Sequence, residues 1–198
     1  MRLIAITGGI GSGKSVVAHM VQVMGYQVYD CDSRAKSLMV HDPDVRQLLV
    51  QTFGPETYLS DGSINRQHLS AVAFADEHAL ARLNGIVHPA TERDIQRWAD
   101  EQAATGAKLA FVETALLRTA GLDKLVDGVW HVTAPAEVRV RRVMTRSGLT
   151  DAQVRERMAA QSVEETIAHG ECAIINDGNT AVMPQISALL SKVNVTKQ

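Results

Sequence analysis

This sequence of 198 residues has only two cysteines, a small net charge and no long hydrophobic run. The two cysteines, Cys31 and Cys172, form no Cys-x-x-Cys pattern, so we expect a reduced chain without a disulfide framework. No apolar run approaches the ~18 residues of a transmembrane helix. A net charge of −2 argues against nucleic-acid binding, for which a clearly basic chain is expected.

The amino terminus does not have the features of a secretory signal. Its apolar run, residues 3–7, is short and ends in glycines, whereas a signal peptide has a longer apolar region and a small-residue cleavage site. We therefore expect a cytoplasmic protein without a membrane partner. The length and an ordinary composition, 45% hydrophobic and 21% charged, predict a single compact domain over residues 1–198.

Short apolar runs alternate with helical patterns along the chain. Strands are predicted at residues 3–7, 27–29, 109–113, 129–133 and 173–176. Helices are predicted at residues 14–24, 33–40, from about 44, over most of 65–104, at 135–145 and 150–161, and from about 181. A break is expected at His88-Pro89, because proline suits the first position of a helix. The alternation predicts a three-layer α/β fold with a parallel sheet of about five strands.

Residues 8–15, Gly-Gly-Ile-Gly-Ser-Gly-Lys-Ser, satisfy the phosphate-loop pattern GxxxxGK[ST] between a predicted strand and a predicted helix. Glycines let the backbone curl so that its N–H groups point at phosphate oxygens, and the helix amino terminus adds partial positive charge. Lys14 is expected to reach the β- and γ-phosphates of ATP, and the Ser15 hydroxyl to bind Mg²⁺. The fold is therefore predicted to be that of a P-loop NTPase.

A phosphate loop alone leaves a GTPase, a motor ATPase and a small-molecule kinase open. The NKxD and DxxG motifs of GTPases are not present in the sequence. A motor ATPase is usually longer and has an apolar run ending in aspartate, whereas the nearest run here ends in Glu113. The short chain and its late arginine-rich segment favour a kinase of the nucleoside and nucleotide type.

An ordered set of motifs resembles the dephospho-CoA kinase family over roughly residues 2–180. The set comprises the loop at residues 7–15, Asp30-Cys31-Asp32 where the family has Asp-Ala-Asp, His88-Pro89, the segment from Arg142 to Gln161, and Ile-Asn-Asp-Gly at residues 175–178. The resemblance implies ATP-dependent phosphorylation of the ribose 3′-hydroxyl of dephospho-CoA, giving coenzyme A and ADP, with Mg²⁺. It also implies a helical acceptor-binding region at about residues 60–105 and a lid at about residues 140–165.

The resemblance also assigns roles to individual residues. It implies that residues 11–16 hold the ATP phosphates, that Asp32 faces the acceptor ribose, and that Arg142 and Arg146 clamp phosphates when the lid closes. Together with Lys14, these three residues form the predicted catalytic set. The predicted cofactor-binding residues are Gly9, Gly11, Ser12, Gly13, Lys14, Ser15, Val16 and Asn176.

Asp32 is the best candidate to orient the attacking hydroxyl and take its proton, because strand ends in such sheets converge on the ligand crevice. The alternative is that Asp32 caps a helix starting near Ser33. Asp30 shares a face with Asp32 if this stretch is extended, so we count both with Ser15 as candidate Mg²⁺ ligands.

Arg142 and Arg146 are four residues apart, which places both guanidinium groups on one helix face. The alternative is a solvated basic face, and Arg139 and Arg141 are expected to be solvated. Asn176 either contacts the adenine edge of ATP or is an ordinary turn residue. We expect His88 to be a packing or helix-entry residue rather than a base.

The chain departs from the family pattern after the third strand. Ala115 and Thr119 stand where the family has the proline and the acid of a Pro-Leu-Leu-Phe-Glu segment, and Glu113 stands where it often has aspartate. Two alternatives remain open: a kinase for another acceptor, such as a nucleoside monophosphate or shikimate, and a nucleotide-binding module without turnover.

Overall fold

The computed structural model describes residues 1–73, 77–168 and 170–195. Within them are five strands: β1 (Arg2–Thr7), β2 (Gln27–Asp30), β3 (Leu109–Glu113), β4 (Gly128–Thr133) and β5 (Cys172–Ile175). The same residues form eight α-helices: α1 (Lys14–Val23), α2 (Cys31–His41), α3 (Pro43–Phe53), α4 (Arg66–Ala73), α5 (Glu77–Ala104), α6 (Ala136–Ser147), α7 (Asp151–Ala160) and α8 (Val182–Val195). Residues 74–76, predicted to be helical, lie outside the described ranges. No described helix is long and apolar enough to cross a lipid bilayer.

The five strands form one sheet in the order β2-β3-β1-β4-β5. β1 is at the centre and runs parallel to β3 and to β4, and β4 runs parallel to β5. The chain fills one side of the sheet with β2 and β3 and the other with β4 and β5, so the strand order reverses at β1. Ligands of open α/β sheets bind at the carboxyl ends of the strands beside such a reversal. The predicted parallel α/β fold is confirmed.

The central strands are buried on both faces, as their continuous apolar sequences predict. Ile4 and Ile6 of β1 are buried with Phe111 of β3 and Trp130 of β4, and the rings of the last two lie 4.9 Å apart between centroids. α1 covers this core with Val17 and its neighbours on the same face. Burying side chains of this size stabilises a fold by about 1.5–3 kcal/mol each, so the strand that leads into the phosphate loop is rigidly held.

The chain divides into two compact units. One comprises residues 1–29 and 101–198 and contains the phosphate loop, and the other comprises residues 30–100. The second unit has a core of its own, in which Val45, Leu49 and Phe53 pack with residues of α4 and α5. These three residues are spaced by four along α3, so they form one apolar face.

The predicted break at Pro89 is wrong, because α5 continues through it from Glu77 to Ala104. A proline inside a helix removes one hydrogen bond and crowds the carbonyl group four residues earlier. That residue is Gly85, where no side chain adds to the crowding. Near the proline, the Thr91 hydroxyl donates to the Val87 carbonyl at 2.9 Å within the same helix. The chain therefore accommodates Pro89 within the helix.

Candidate active site

The phosphate loop connects the end of β1 to the start of α1. Gly8 and Gly13 have φ angles of 144° and 94°, which residues with a Cβ atom rarely adopt. A Cβ atom at Gly13 would also collide with the side-chain amide of Asn176, and one at Gly8 with the carbonyl oxygen of Val132. Glycine is therefore needed at both positions, for the curl of the loop and for its close packing.

The start of α1 carries no side-chain cap. Its N-cap is Gly13, and its first turn contains no acidic residue. The first N–H groups of a helix have no partner within the helix, and the helix dipole places partial positive charge on them. A helix end of this kind, preceded by a glycine-rich loop, is a site for a phosphate group.

A pocket of about 200 Å³ lies against the phosphate loop. It is lined by Ile10, Gly11, Gly13, Lys14, Ser15, Val16, Arg142, Val143 and Arg146. The structure thus brings together Lys14, Ser15 and both lid arginines named from the sequence. Three positive side chains around one cavity suit a polyphosphate ligand.

The other two loop residues named from the sequence, Gly9 and Ser12, are buried and do not line this pocket. The Gly9 carbonyl accepts a hydrogen bond from the Ser12 N–H at 3.1 Å. The Ser12 side chain is buried, and its hydroxyl has no hydrogen-bond partner in the part of the chain that the structure describes. Both residues therefore support the loop from within.

Arg142 and Arg146 lie on α6, beside the loop, as their four-residue spacing predicts. Arg142 is held by three long contacts, from its guanidinium nitrogens to the carbonyl oxygens of Gly11 (3.4 Å) and Ser12 (3.5 Å) and to Asn176 Oδ1 (3.4 Å). Contacts of this length are weak, so Arg142 loses little when it turns to a phosphate oxygen. Arg146 is exposed in the last turn of α6, which ends at Ser147 and is followed by Gly148.

The expectation that Arg139 is solvated is wrong. Its side chain is only 6% exposed, and its Nε atom donates to the Ile10 carbonyl at 2.9 Å. Arg139 is four residues before Val143, which is buried on the same helix, so the two share the inward face of α6. That spacing was the available signal in the sequence. Arg139 fixes the backbone of the phosphate loop instead of facing water.

Asn176 follows β5 and also fixes the loop. Its Nδ2 atom donates to the Ser12 carbonyl at 2.8 Å, and its Oδ1 atom faces Arg142. The next residue, Asp177, caps the turn, accepting hydrogen bonds from the N–H groups of Thr180 and Asn179 that lower the pKa of its carboxyl. Asn176 is thus placed at the loop by a well-defined turn.

The Ser15 hydroxyl donates to Glu113 Oε1 at 2.8 Å, at the carboxyl end of β3. A hydroxyl and a carboxylate are oxygen ligands of the kind that Mg²⁺ prefers, and this ion usually keeps several waters and binds substrate phosphates. The described residues contain no cluster of three or more His, Cys, Asp or Glu side chains suited to a metal. The Ser15 hydroxyl and the Glu113 carboxylate are ligands of the kind that such an ion uses.

Asp30 and Asp32 lie in the second unit and differ in environment. Asp30 ends β2 and caps α2, with its carboxylate accepting hydrogen bonds from the Ser33 N–H at 3.1 Å and the Ser33 hydroxyl at 2.6 Å. Asp32 is exposed in the first turn of α2. The capping role considered for Asp32 thus belongs to Asp30. The shared face expected for the two residues is wrong, because α2 begins at Cys31 and the stretch is not extended.

Two residues just after α7 contact loops of the site. Gln161 Oε1 accepts the Ile10 N–H at 3.0 Å, and the buried carboxylate of Glu164 accepts the N–H groups of Arg118 and Thr119. Gln161 was noted only as part of the lid pattern, and Glu164 was missed. Their partners are distant in sequence, so no local pattern points to these contacts.

His88 is half-buried in α5, and burial lowers the pKa of its imidazole below the ordinary value of 6.5. A lowered pKa keeps the ring neutral at pH 7, because burial disfavours the charged form. The expectation that His88 packs within the fold accords with this environment.

Comparisons with known proteins identify the family of the chain. A family model for dephospho-CoA kinase matches residues 2–182. A dephospho-CoA kinase from Porphyromonas gingivalis is 36% identical over 199 residues, and the match covers 100% of this chain and 96% of the relative. Among solved structures, a Thermus thermophilus protein has a TM-score of 0.78 at 32% identity, covering 100% of this chain and 98% of the other.

A dephospho-CoA kinase from Campylobacter jejuni has a TM-score of 0.73, with full coverage of both chains, but only 19% identity. That likeness supports the fold alone. The family model and the Porphyromonas gingivalis relative also establish the family, since both matches cover nearly the whole chain. The protein therefore belongs to the dephospho-CoA kinase family, as its ordered motifs predict, and is a P-loop kinase.

Proposed function

We propose that this kinase transfers the γ-phosphoryl group of ATP to the ribose 3′-hydroxyl of dephospho-CoA, giving coenzyme A and ADP. The observation that carries the proposal is the pocket at the phosphate loop, where Lys14, Arg142 and Arg146 meet the uncapped start of α1. Phosphoryl transfer has a loose transition state with charge spread over the γ-phosphate oxygens, so positioning and positive charge do most of the catalysis.

Within this pocket we assign Lys14 to bind the β- and γ-phosphates. Arg142 and Arg146 neutralise the negative charge of the same phosphates from the side of α6. The long contacts of Arg142 support its assignment, because the side chain can exchange carbonyl oxygens for phosphate oxygens at little cost. Gly11, Gly13 and Val16 line the pocket around the phosphates. The remaining predicted ATP contacts, Gly9, Ser12 and Asn176, shape the loop behind them, and an adenine contact by Asn176 stays a prediction.

We propose Mg²⁺ as the metal, held by Ser15 and Glu113 together with the phosphates. When bound, the ion neutralises charge on the β- and γ-phosphate oxygens. We assign to Glu113 the metal-ligand role that the sequence suggested for Asp30, because the Asp30 carboxylate is engaged in capping α2. Ser15 keeps the role that the loop motif predicts.

Asp32 is proposed to orient the acceptor hydroxyl and take its proton. Its exposed position at the start of α2, with Asp30 as the cap, leaves its carboxylate available for a ligand. A carboxylate beside the ribose hydroxyl would raise its nucleophilicity as the bond to phosphorus forms. The assignment itself comes from the family resemblance.

For the acceptor we propose the unit of residues 30–100, which includes most of the predicted region at 60–105. This unit contains a pocket of about 500 Å³ whose lining is mainly apolar, with Met39, Ile64 and Leu69, and includes the cations Lys36 and Arg66. An apolar cavity with two positive groups suits a long, partly apolar substrate that carries phosphates. Residues of α6, α7 and the turn after them are proposed as the lid.

The site suits small-molecule substrates, and no nucleic-acid or membrane partner is proposed. A cytoplasmic location is proposed with this function. It is supported by Cys31 and Cys172, neither of which is in a disulfide. Reduced cysteines are typical of the cytosol.

An acceptor panel tests the proposal. With ATP and Mg²⁺, dephospho-CoA should raise ATP consumption far above the acceptor-free rate, because closure over both substrates excludes water. Mass spectrometry should place the new phosphate on the ribose 3′ position. Adenosine, which carries the hydroxyl without the pantetheine arm, should be much poorer because remote binding energy is lost. Faster transfer to CMP, AMP or shikimate than to dephospho-CoA would refute the proposed acceptor but not the kinase activity.

A further inference from the structure

A fully buried carboxylate lies just beyond the predicted lid helix α7. It belongs to Glu164, in the short 3₁₀ helix Ser162–Glu165, and its exposed fraction is 0%. A carboxylate in the interior is costly unless its oxygens are hydrogen-bonded. Here both oxygens lie 3.1 Å from the backbone N–H of Arg118, and Oε1 also accepts the Thr119 N–H at 2.7 Å.

These N–H groups belong to a helical turn after β3. In this turn, residues 116–121, the Leu116 carbonyl accepts the Ala120 N–H at 2.9 Å and the Arg118 carbonyl accepts the Gly121 N–H at 2.9 Å. The first N–H groups of such a turn have no partner within it. Glu164 therefore caps the turn from a distant part of the chain, and bonds from N–H groups to a carboxylate are among the stronger ones.

Gln161, one turn before Glu164, binds the phosphate loop. Its Oε1 atom accepts the Ile10 N–H at 3.0 Å, while the buried Arg139 donates to the Ile10 carbonyl at 2.9 Å. The backbone of Ile10 is thereby held on both sides. The four residues 161–164 thus contact the loop that holds ATP and the turn at 116–121.

We propose that Gln161 and Glu164 are positioning residues for the two substrates: Gln161 orders the phosphate loop for ATP, and Glu164 orders the segment after β3 for the acceptor. The inference rests on the proposed function. The resemblance implies acceptor contacts near the family's Pro-Leu-Leu-Phe-Glu segment, which corresponds to residues 115–119 here, although Ala115 and Thr119 depart from its pattern. A carboxylate that orders two backbone N–H groups there fixes the shape of the segment without touching the substrate.

The test uses Glu164→Gln, which keeps the shape of the side chain but places an NH₂ group where one oxygen accepted hydrogen bonds. The KM for dephospho-CoA should rise about tenfold, while the Kd for ATP measured without acceptor stays within about twofold. Gln161→Leu should give the reverse, a severalfold weaker ATP complex with the acceptor KM little changed. Glu164→Asp, which keeps the charge, should recover part of the acceptor effect.

The control is Glu156→Gln, the same change on the exposed surface of α7, which should leave all constants unchanged. If Glu164→Gln lowers the thermal midpoint but leaves both KM values and kcat within about twofold, Glu164 is only structural and the inference fails. If both variants weakened the binding of ATP and of the acceptor equally, the separate roles would also be refuted. Should Glu164→Gln not fold, Gln161→Leu and Glu164→Asp decide the question. Failure of the proposed function would appear differently, as wild-type protein that does not phosphorylate dephospho-CoA.

Discussion

At the scale of single residues, Asp30 and Asp32 are separated by one position and have different surroundings. The Asp30 carboxylate accepts hydrogen bonds from Ser33 and stabilises the start of α2, whereas Asp32 is exposed in the first turn of the same helix. A cap of this kind contributes about 1 kcal/mol to stability. We therefore expect Asp30 to contribute to stability and Asp32 to contribute to catalysis.

Replacing each carboxylate tests this separation. Asp32→Asn keeps the shape but removes the charge, so we expect a fall in kcat of at least about a hundredfold with little change in thermal midpoint. Asp30→Ala removes the cap and should lower the thermal midpoint by about 2–4 °C while affecting kcat much less. Steady-state kinetics and thermal unfolding of both variants provide the measurement. A destabilised but active Asp32→Asn protein would contradict the catalytic role.

The contact between Ser15 and Glu113 leads to a second prediction, on metal dependence. If both oxygens bind Mg²⁺, then Glu113→Gln weakens the site because the neutral amide is a poorer ligand for a hard cation. The Mg²⁺ concentration for half-maximal turnover should rise by about tenfold or more, with turnover partly restored at high Mg²⁺. Glu171→Gln, a carboxylate paired with Arg118 instead, serves as the control. An unchanged Mg²⁺ titration in Glu113→Gln would exclude Glu113 as a ligand.

At the scale of elements, the sequence predicts most strands and helices because their signals are local. β1 and the phosphate loop follow from a short apolar run and fixed glycine spacing, and the cap of α7 follows from Thr150, whose capping box with Gln153 is present. α5 is different. It continues through Pro89, with Gly85 at the position that the proline ring crowds, and sequence patterns alone favour a break at a proline.

The candidate site shows the same limit. The loop motif identifies Lys14 and Ser15 because a motif with a mechanism is carried by adjacent residues. Gln161 and Glu164 could not be found in this way, since their partners lie 151 and 45 residues away. The inward position of Arg139 could have been predicted from its four-residue spacing to Val143. The sequence alone, however, does not distinguish it from the other three arginines of the same helix.

Within α5, His88 gives a prediction about pH. Its folded-state pKa lies below 6.5 because burial disfavours the charged ring, so the unfolded chain binds the proton more readily. Stability from the neutral ring is fully present above pH 6.5 and is lost as the pH falls from 6.5 through the folded-state pKa. His88→Asn should therefore lose about 1–2 °C less in thermal midpoint than wild type between pH 7.5 and 5.5. The other histidines occur in both proteins, so their effects cancel in this difference. Parallel curves for the two proteins would contradict the prediction.

At the scale of the whole molecule, the catalytic loop is braced from elements that are far apart in the chain. Arg139 of α6, Gln161 after α7 and Asn176 after β5 each bind its backbone, at 2.9, 3.0 and 2.8 Å. All three bracing residues come from the carboxyl-terminal third of the chain, while the loop lies at the amino terminus. The loop geometry therefore depends on completion of the fold around β1, and a preformed loop lowers the ordering cost of binding ATP.

A preformed site predicts that nucleotide binding stabilises the whole fold. A ligand at a hundred times its Kd adds about 2.7 kcal/mol, which for a chain of this size raises the thermal midpoint by about 5–11 °C. A non-hydrolysable ATP analogue with Mg²⁺ should give this shift in the wild-type protein. Lys14→Ala should retain its unliganded midpoint, lose most of the shift and reduce turnover at least about a hundredfold, because it removes charge that the γ-phosphate needs most in the transition state. Lys108→Ala, the same change at an exposed site before β3, should behave as wild type. A Lys14→Ala protein with a full nucleotide shift and near-normal turnover would contradict the assignment of this loop to ATP.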